Sequence, residues 1–487
     1  MIKPIKHRLK KNMPRLYERL HAAKKYLFRQ GRTEYKVSRE ILRRFIRCGL
    51  RRAASWREVL PMQTLQRITI PGIACNSLDD LLADLDARGL DYSRSVDSVY
   101  LPPATLSVPP FDALGRYYPL NVGLKILTAP EEAAKDGGLP EHSPGTSKKH
   151  LSRTDELILV ANLMLESDLG PRVYDWVQLQ CGGAVWTAFV VAHIDGSAPS
   201  EIECQAGLNR IRQLQSNGLL EIALPDGFEN AEFRCPACGG EALMDSKGSF
   251  HYLKFQNFML GDYERHLEQT AVRAVSNVHF GEQSLLRRGK FLYQSVPGVR
   301  LPAKRNIGDR IAVIEQLMES AGLAVSGRLV LDIGCNAGMM MAEYLKRGAR
   351  WCHGWDTEAM TPHTEALLLA LGCTRFSTTG ALMELTRPLE EDLPSFAQSL
   401  LPGCVVSYLA IRRHVGWLHS LSSVPWSFLI YEGHQYEDRD HLAEYVNHLR
   451  EIVDVEVLNV GSYKEGFSNE RVVAILANSS APPISGS

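Results

Sequence analysis

One fourteen-residue stretch constrains the fold of this 487-residue chain more than any other. Residues 328–341 read RLVLDIGCNAGMMM, in which an apolar run ends on Asp332, a turn follows from Gly334 to Gly338, and an apolar helical pattern begins. Glycines let the backbone approach a ligand closely, and a helix N-terminus offers unpaired N–H groups. The stretch therefore predicts a buried strand, a tight turn and a helix, with a ligand bound at the turn.

A second acid follows the next apolar strand. That strand, Trp351–Trp355, ends in Asp356, where doubly wound sheets place an acid on ribose hydroxyls. The turn reads D-x-G-x-x-x-G and lacks the G-x-G-x-x-G spacing that seats a pyrophosphate. It resembles the first motif of class I methyltransferases that use S-adenosylmethionine (SAM), whose ammonium and sulfonium suit a nearby acid. The resemblance implies a SAM site formed by Asp332, Gly334, Cys335, Asn336, Gly338 and Asp356. A dinucleotide enzyme with an unusual turn and a Rossmann-like domain without a ligand remain the alternatives.

The alternation of elements continues to the end of the chain. Apolar strands at 404–408 and 426–431 alternate with helices, and two strands near 453–460 and 471–477 form a closing antiparallel pair. Alternating strands and helices predict an α/β fold with a parallel, doubly wound sheet. The closing hairpin is a further resemblance to class I methyltransferases. We assign residues 281–477 to a Rossmann-like methyltransferase domain, 61–280 to an α+β domain, 1–60 to a basic helical arm and 478–487 to a disordered tail.

Residues that follow the last parallel strands are the candidate catalytic groups, since ligands bind outside the carboxyl ends of such strands. The segments SYLAIRRH and LIYEGH resemble strand ends of bacterial methyltransferases associated with surface-polysaccharide synthesis, which implies a sugar hydroxyl as acceptor. A hydroxyl benefits from a general base, and the candidates are His414, Glu432 and His434. His414 is preferred because imidazole titrates nearest physiological pH. Alternatively, Glu432 pairs with Arg412 or Arg413, and the histidines only cap a helix or line a loop.

A basic segment precedes the helix that leads into the first strand. Arg305, Asn306 and Arg310 lie where methyltransferases of this class often cover SAM or the acceptor. A solvated basic turn is the equal alternative. The helix itself is predicted from Ile311, Ile314, Leu317 and Met318, which share one face.

An order of pieces within 61–280 resembles kinase-like domains of bacterial glycan-modifying proteins. NVGLKIL carries Lys125, which the resemblance makes a phosphate-binding lysine, and the helix RTDELILVANLM carries Glu156, its ion-pair partner. Lys254 stands directly before Phe-Gln-Asn-Phe, where the family has its metal-binding aspartate, and an ammonium cannot hold Mg²⁺. We therefore expect a catalytically inactive kinase-like module. An active kinase and an unrelated α+β domain are the alternatives.

The segment RCPACGGE contains half of a zinc ribbon. Cys235 and Cys238 have the C-x-x-C spacing that lets two thiolates share one tetrahedral ion. No second C-x-x-C occurs in the sequence, so Cys204 or His251 would have to complete the site through tertiary packing. A zinc site and a metal-free turn both remain open, and the catalytic site is expected to contain no metal.

The net charge of zero conceals a strong segregation. Residues 1–57 carry a net charge of +16 and the remainder −16. Two amphipathic helices with basic polar faces, at 13–30 and 37–50, suit the surface of an anionic bilayer. Packing on the next domain and RNA binding are the alternatives. No secretory signal or run of 18 apolar residues occurs and the cysteines are scattered, so we expect a cytoplasmic protein, peripheral on the inner face of the membrane.

Together these features predict a SAM-dependent methyltransferase that O-methylates a sugar hydroxyl of a bacterial surface polysaccharide or glycolipid. Kinase-like modules beside methyltransferases resemble the proteins that cap O-polysaccharide (O-antigen) chains of lipopolysaccharide, although with the opposite domain order. The resemblance implies a glycan or glycolipid acceptor and polysaccharide-assembly proteins as partners. An RNA-modifying methyltransferase, or a SAM-binding scaffold with a pseudokinase module, are the alternative functions.

Overall fold

A computed structural model of the chain describes fifteen segments of it, which are residues 66–69, 77–94, 98–109, 111, 122–127, 153–181, 184–222, 242–253, 258–276, 292–299, 301, 303–381, 388–434, 437–464 and 470–480. The basic arm, Cys235, Cys238 and Lys254 lie outside these segments, as does the predicted domain boundary near residue 280. Within the described segments no helix combines the length and apolarity that a membrane span requires.

The described elements alternate between strands and helices. In chain order the strands are β1 (Gln66–Thr69), β2 (Ser93–Arg94), β3 (Ser98–Leu101), β4 (Val122–Leu127), β5 (Val173–Cys181), β6 (Ala184–Ala192), β7 (Gly196–Ser197), β8 (Leu220–Ile222), β9 (Ala242–Asp245), β10 (Phe250–Tyr252), β11 (Phe258–Leu260), β12 (Leu292–Gln294), β13 (Ala303–Arg305), β14 (Leu329–Ile333), β15 (Trp351–Asp356), β16 (Phe376–Gly380), β17 (Cys404–Leu409), β18 (Trp426–Glu432), β19 (Val455–Lys464) and β20 (Glu470–Asn478). The α-helices are α1 (Leu78–Ala87), α2 (Pro103–Leu106), α3 (Arg153–Glu166), α4 (Glu201–Ser216), α5 (Tyr263–Ser276), α6 (Ile307–Ser320), α7 (Met339–Lys346), α8 (Thr361–Ala370), α9 (Ser395–Gln398), α10 (Arg412–Val415) and α11 (Arg439–Arg450). Residues Leu389–Asp392 and His419–Ser422 form 3₁₀ turns.

The C-terminal sheet has seven strands in the order β16-β15-β14-β17-β18-β20-β19. Strands β14 to β18 are parallel, whereas β20 runs antiparallel to both β18 and β19. This order confirms the predicted doubly wound α/β sheet and its closing hairpin. The chain direction across the sheet reverses between β14 and β17, so the ligand crevice of such a fold lies at their carboxyl ends.

Helices cover both faces of this sheet. Strand β14 is buried throughout, as a parallel strand with helices on both sides should be. Val330 faces an apolar cluster that contains residues of α6, α7 and α8, whereas Leu331 faces a second cluster that contains residues of α11. Asp332 has the same parity as Val330 and therefore lies on the face that α6 and α7 cover.

Helix α6 is built from a cap and an apolar stripe. Asn306 is extended and its side chain accepts the N–H of Gly308 at 3.1 Å, which fixes the start of the helix. Of the four residues predicted to share one face, Ile311, Ile314 and Met318 are buried, and Leu317 is partly buried against the same apolar cluster. The cap and the stripe together hold the first turn of α6 against the carboxyl end of the sheet.

The upstream part contains a six-stranded sheet in the order β1-β5-β6-β4-β3-β2. Helix α3, which follows β4, packs on α8 of the C-terminal part. Asn162 of α3 donates from Nδ2 to the carbonyl of Leu369 at 2.9 Å and to that of Cys373 at 3.3 Å. One apolar cluster therefore runs from α3 into the C-terminal sheet, and the two parts share a core at this junction.

Candidate cofactor-binding and catalytic site

The turn after β14 alternates into the left-handed region at three positions. The φ angles are +75° at Gly334, +50° at Asn336 and +76° at Gly338. Glycine adopts this conformation without cost, and asparagine is among the few other residues that tolerate it. A Cβ at Gly338 would also lie 2.9 Å from Thr364 and 3.0 Å from Leu368 of α8. The left-handed backbone and the close packing at Gly338 together fix the turn. Asn336 adopts a conformation that glycine usually supplies.

Asp356 holds this turn from the end of the next strand. Its Oδ2 accepts the backbone N–H of Asn336 at 2.8 Å, and its Oδ1 accepts that of Thr357 at 2.8 Å. The N–H groups of Gly334 and Cys335 donate to the Trp355 carbonyl at 2.9 and 3.0 Å. Each carboxylate oxygen has a further lone pair. Asp356 therefore orders the turn and can still accept hydroxyls of a ligand at the rim.

Asp332 lies deeper than Asp356. It is 3% exposed, and its Oδ1 accepts the hydroxyl of Ser407 at 2.7 Å. The Ser407 hydroxyl in turn lies 3.1 Å from that of Tyr344 on α7. Burial raises the pKa of Asp332 to about 6, against the opposing effects of the Ser407 hydrogen bond and the charge of Arg310. A buried carboxylate at the end of a strand whose pKa is raised in this way is typical of a functional site.

Replacing Asp332 by asparagine should change the pH dependence of folding stability. Because its folded pKa of about 6 exceeds the ordinary 3.8, the folded protein retains a proton that the unfolded chain releases. The stability linked to this proton is present below about pH 4 and is lost as pH rises through about 6. Asparagine cannot ionise, so the stability of the variant relative to wild type should rise by about 2–3 kcal/mol across this window. Urea unfolding of both proteins at the two ends of this pH window measures the change. A difference in the free energy of unfolding that is constant with pH would show that Asp332 titrates normally.

Cys335 takes part in the turn through its backbone, and its thiol is buried. Its side chain is buried beneath the turn, and a Cβ at Gly354 of β15 would lie 2.8 Å from its sulfur. Burial raises the pKa of the Cys335 thiol well above its usual value, so the thiol is neutral and unreactive. A role of Cys335 in cofactor binding stays a prediction, and the buried thiol limits it to the main chain of the turn.

The two candidate histidines lie together at the opposite side of the rim. His414 is exposed on α10, His434 is half-buried after β18, and their ring centroids are 6.0 Å apart. Glu437 joins the two loops, because its Oε2 accepts the N–H of His434 at 2.5 Å and its Oε1 accepts Nε of Arg413 at 2.6 Å. Nothing in the sequence pattern singles out Glu437, which is 3% exposed.

A strained alanine lies between β17 and α10. Ala410 has a φ of +58° and its N–H donates to the carbonyl of Glu432 at 2.8 Å. This conformation costs a residue with a Cβ about 1–2 kcal/mol, and such strain concentrates at functional sites. The bend directs Ile411 onto the turn, where a Cβ at Gly334 would lie 2.7 Å from its side chain. The strain thereby packs the loop after β17 against the candidate cofactor site.

Glu432 is the centre of a buried ion cluster. Its Oε2 accepts Nε of Arg310 at 2.5 Å and the hydroxyl of Tyr463 at 3.0 Å, and its Oε1 accepts Nη1 of Arg471 at 3.3 Å. Burial alone would raise the pKa of Glu432, but the charges of Arg310, Arg305 and Arg471 outweigh it and lower the pKa. Arg412 and Arg413 are not its partners in these contacts. Such a fixed anion is a poor proton acceptor, so the histidines are the better candidates for a general base.

A cluster of metal ligands is absent from the described part of this rim. Among the residues that the structure describes, no three His, Cys, Asp or Glu side chains are grouped so that they could hold a metal ion. Cys235 and Cys238 are outside those residues, so the zinc site stays a prediction.

Comparison with known proteins gives distant structural similarities only. No family model matches the chain, and no curated protein matches its sequence. A SAM-dependent methyltransferase from Aquifex aeolicus is 18% identical with a TM-score of 0.24, covering 33% of this chain and 88% of that one. The magnesium protoporphyrin IX methyltransferase of Synechocystis PCC 6803, with bound SAM, is 14% identical with a TM-score of 0.26, covering 35% and 77%. A precorrin-6y C5,15-methyltransferase from Geobacter metallireducens is 13% identical with a TM-score of 0.25, covering 34% and 87%.

Proposed function

We propose that this chain is a SAM-dependent methyltransferase. The observation that carries the proposal is the turn at Gly334, Asn336 and Gly338, which Asp356 holds from the neighbouring strand at the point where the sheet reverses direction. A dinucleotide enzyme would need its pyrophosphate next to Asp332, the acid at the end of β14, which is unfavourable. A sulfonium cofactor with a ribose meets no such conflict.

The residues at the rim fit such a cofactor. Asp356 retains lone pairs for ribose hydroxyls, and the main chain of the turn can contact the amino-acid part. Asp332 adds negative charge beneath the turn above its pKa of about 6. When bound, SAM supplies a methyl group activated by the sulfonium. The protein then has to orient the acceptor, which is worth several kcal/mol in such reactions.

His414 and His434 are the proposed acceptors of the proton from an acceptor hydroxyl. Both follow strand ends on the rim, and the Glu437 link holds the backbone of the His434 loop against Arg413 of α10. A positioned imidazole contributes about 10²–10⁴-fold to the transfer of a proton. Glu432 has the separate role of fixing α6 and β18 relative to each other.

We further propose that the acceptor is a sugar hydroxyl of a bacterial surface polysaccharide or glycolipid. The support is the resemblance of the segments around His414 and His434 to methyltransferases of that pathway. The test incubates purified protein and labelled SAM with membrane glycolipid extract, and in parallel with total tRNA. Label in the glycolipid supports the proposal, and label in tRNA supports RNA modification. Binding of SAM without transfer to either would favour a scaffold.

The upstream sheet is proposed to be a kinase-like module that does not transfer phosphate. The order of β4, α3, β5 and β6 along the chain is that of a kinase and supports the kinase-like fold. The two residues expected to serve phosphate binding contact main-chain groups: Nζ of Lys125 donates to the carbonyl of Leu253, and Oε1 of Glu156 accepts the N–H of Leu260 at 3.0 Å. Tyr100 covers β4, since a Cβ at Gly123 would overlap its ring.

The position of Tyr100 also bears on nucleotide binding. Its hydroxyl is 2.7 Å from Nδ1 of His193, in the segment after β6 that would form the hinge. We infer that the ring, which lies over β4 and contacts the segment after β6, occupies the position at which a kinase would bind the nucleotide base.

We therefore expect ATP to leave the unfolding temperature of the wild-type protein unchanged. Tyr100→Ala should open the covered surface and allow stabilisation by ATP, which amounts to about 1.4 kcal/mol at ten times the Kd. Thermal unfolding with and without ATP measures both. Transfer of phosphate from ATP that Lys125→Ala abolishes would show that the module is an active kinase.

The basic arm is proposed to hold the protein on the inner face of the cytoplasmic membrane. The support is the charge of +16 in residues 1–57, since each Lys or Arg near an anionic surface contributes about 1 kcal/mol. Flotation with anionic liposomes, with and without these residues, tests it. Binding that survives truncation, or that is lost with salt but indifferent to lipid, would contradict a membrane role.

A further inference from the structure

A buried guanidinium at the rim has a donor that the fold does not use. Arg310, in the first turn of α6, is 3% exposed and donates from Nε to Glu432. Its Nη2 atom is buried and has no hydrogen-bond acceptor among the described residues. A buried donor without an acceptor is costly, and more so when it is charged. The arrangement is therefore complete only when a further acceptor is present.

A second arginine of the same domain, Arg347, forms a complete two-bond pair with a carboxylate. Arg347 donates from Nε and Nη2 to the two oxygens of Glu315, at 3.0 and 2.9 Å. Arg310 contacts its carboxylate through Nε alone, because the other oxygen of Glu432 accepts Nη1 of Arg471. The Nε and Nη2 atoms of a guanidinium usually donate together to one carboxylate. In Arg310 only Nε donates to Glu432.

Glu432, which accepts Nε of Arg310, lies at the ligand end of the sheet. Glu432 pairs in register with Leu409, one residue beyond the pair of Ile333 with Tyr408, so it ends level with the turn at Gly334. It is two strands from β14, on the side opposite Asp356. A cofactor whose ribose lies at Asp356 therefore has its amino-acid tail, or the acceptor, on the side of Arg310.

We propose that Nη2 of Arg310 binds an oxyanion of a ligand at this rim, a carboxylate or phosphate oxygen. The inference rests on the proposed function, since the oxyanion belongs either to the amino-acid tail of SAM or to an acidic acceptor. A guanidinium suits this role because it stays charged and its N–H groups have a fixed direction. Glu432 accepts Nε of Arg310 and thereby fixes the orientation of the guanidinium.

The test compares wild type with Arg310→Lys, which keeps a positive charge beside Glu432 but removes Nη2. Arg347→Lys is the matched control, because Nε and Nη2 of Arg347 both donate within the protein. Calorimetry measures binding of SAM, of decarboxylated SAM, and of inorganic phosphate to the protein alone and saturated with S-adenosylhomocysteine.

If the oxyanion is the SAM carboxylate, wild type should prefer SAM over the decarboxylated form by about ten- to a hundredfold, and only Arg310→Lys should lose this preference. If it belongs to the acceptor, SAM affinity should be equal in all three proteins, and phosphate binding should be lost in Arg310→Lys alone. Equal binding of every probe by wild type and Arg310→Lys overturns the inference. Failure of wild type to bind SAM refutes the proposed function, whereas phosphate titration of the protein alone still decides the oxyanion site.

Discussion

Glu432→Ala should lower the free energy of unfolding by about 3–5 kcal/mol, the cost of removing one partner from a buried ion pair. The glutamate is fully buried, and its carboxylate accepts hydrogen bonds from Arg310, Arg471 and Tyr463. Without it the two guanidiniums remain buried with no counter-charge between them. Urea unfolding of the purified variant at neutral pH measures the loss.

The matched control for this prediction is Glu315→Ala. Glu315 also pairs with an arginine of the same domain, but its side chain is 39% exposed. Exposed pairs contribute about 0–1 kcal/mol, so this variant should stay close to wild type. A loss in Glu432→Ala no greater than in Glu315→Ala would show that the cluster does not hold α6 on the sheet. Activity that persists in a folded Glu432→Gln variant would confirm that this residue is no general base.

The sheet could be predicted from the sequence because local pattern determines it. Strands buried on both faces are continuous apolar runs, and β14 and β17 begin and end within a residue or two of the predicted bounds. The acids that end β14 and β15 mark the same edge of the sheet, so the candidate cofactor site could be placed as well. The left-handed conformation of Asn336 was also accessible, since asparagine between two turn glycines is the residue to expect there.

Contacts between distant segments could not be predicted in this way. Glu432 and Arg310 are separated by 122 residues, and their pairing depends on how α6 crosses the end of β18. The sequence offered Arg412 and Arg413 as nearer partners for Glu432, but Arg413 instead pairs with Glu437. Charge and spacing along the chain identify which groups need partners, whereas the choice among partners is made by tertiary packing.

The junction of the two sheets is a second feature without a local signal. Arg172, before β5, donates from Nη2 to the carbonyl of Phe376 at 2.5 Å and lies 4.8 Å from the centre of its ring. Helix α8 packs against α3 of the upstream part. It also contacts the turn, because Oγ1 of Thr364 donates to the carbonyl of Asn336. The module that is proposed to be inactive as a kinase thus supports the helix that packs against the cofactor turn.

Replacing His414 and His434 together by alanine should lower kcat by about 10²–10⁴-fold, the usual contribution of a general base. SAM binding should be unchanged, because both histidines follow strands that lie on the side of β14 opposite Asp356. The double variant is needed because the rings are 6.0 Å apart and one can substitute for the other. Transfer of label from SAM to the glycolipid acceptor measures kcat, and calorimetry measures SAM binding.

The matched control for the histidine pair is His419→Ala, an exposed residue at the start of a 3₁₀ turn, five residues beyond His414. It should retain wild-type turnover, because it lies beyond α10, outside the two loops that Glu437 joins. Partial rescue of the double variant by added imidazole would identify proton transfer as the lost step, since a purely structural defect does not respond to a free base. Wild-type turnover in the double variant, with SAM bound normally, would exclude both histidines and leave orientation of the acceptor as the main contribution of the protein.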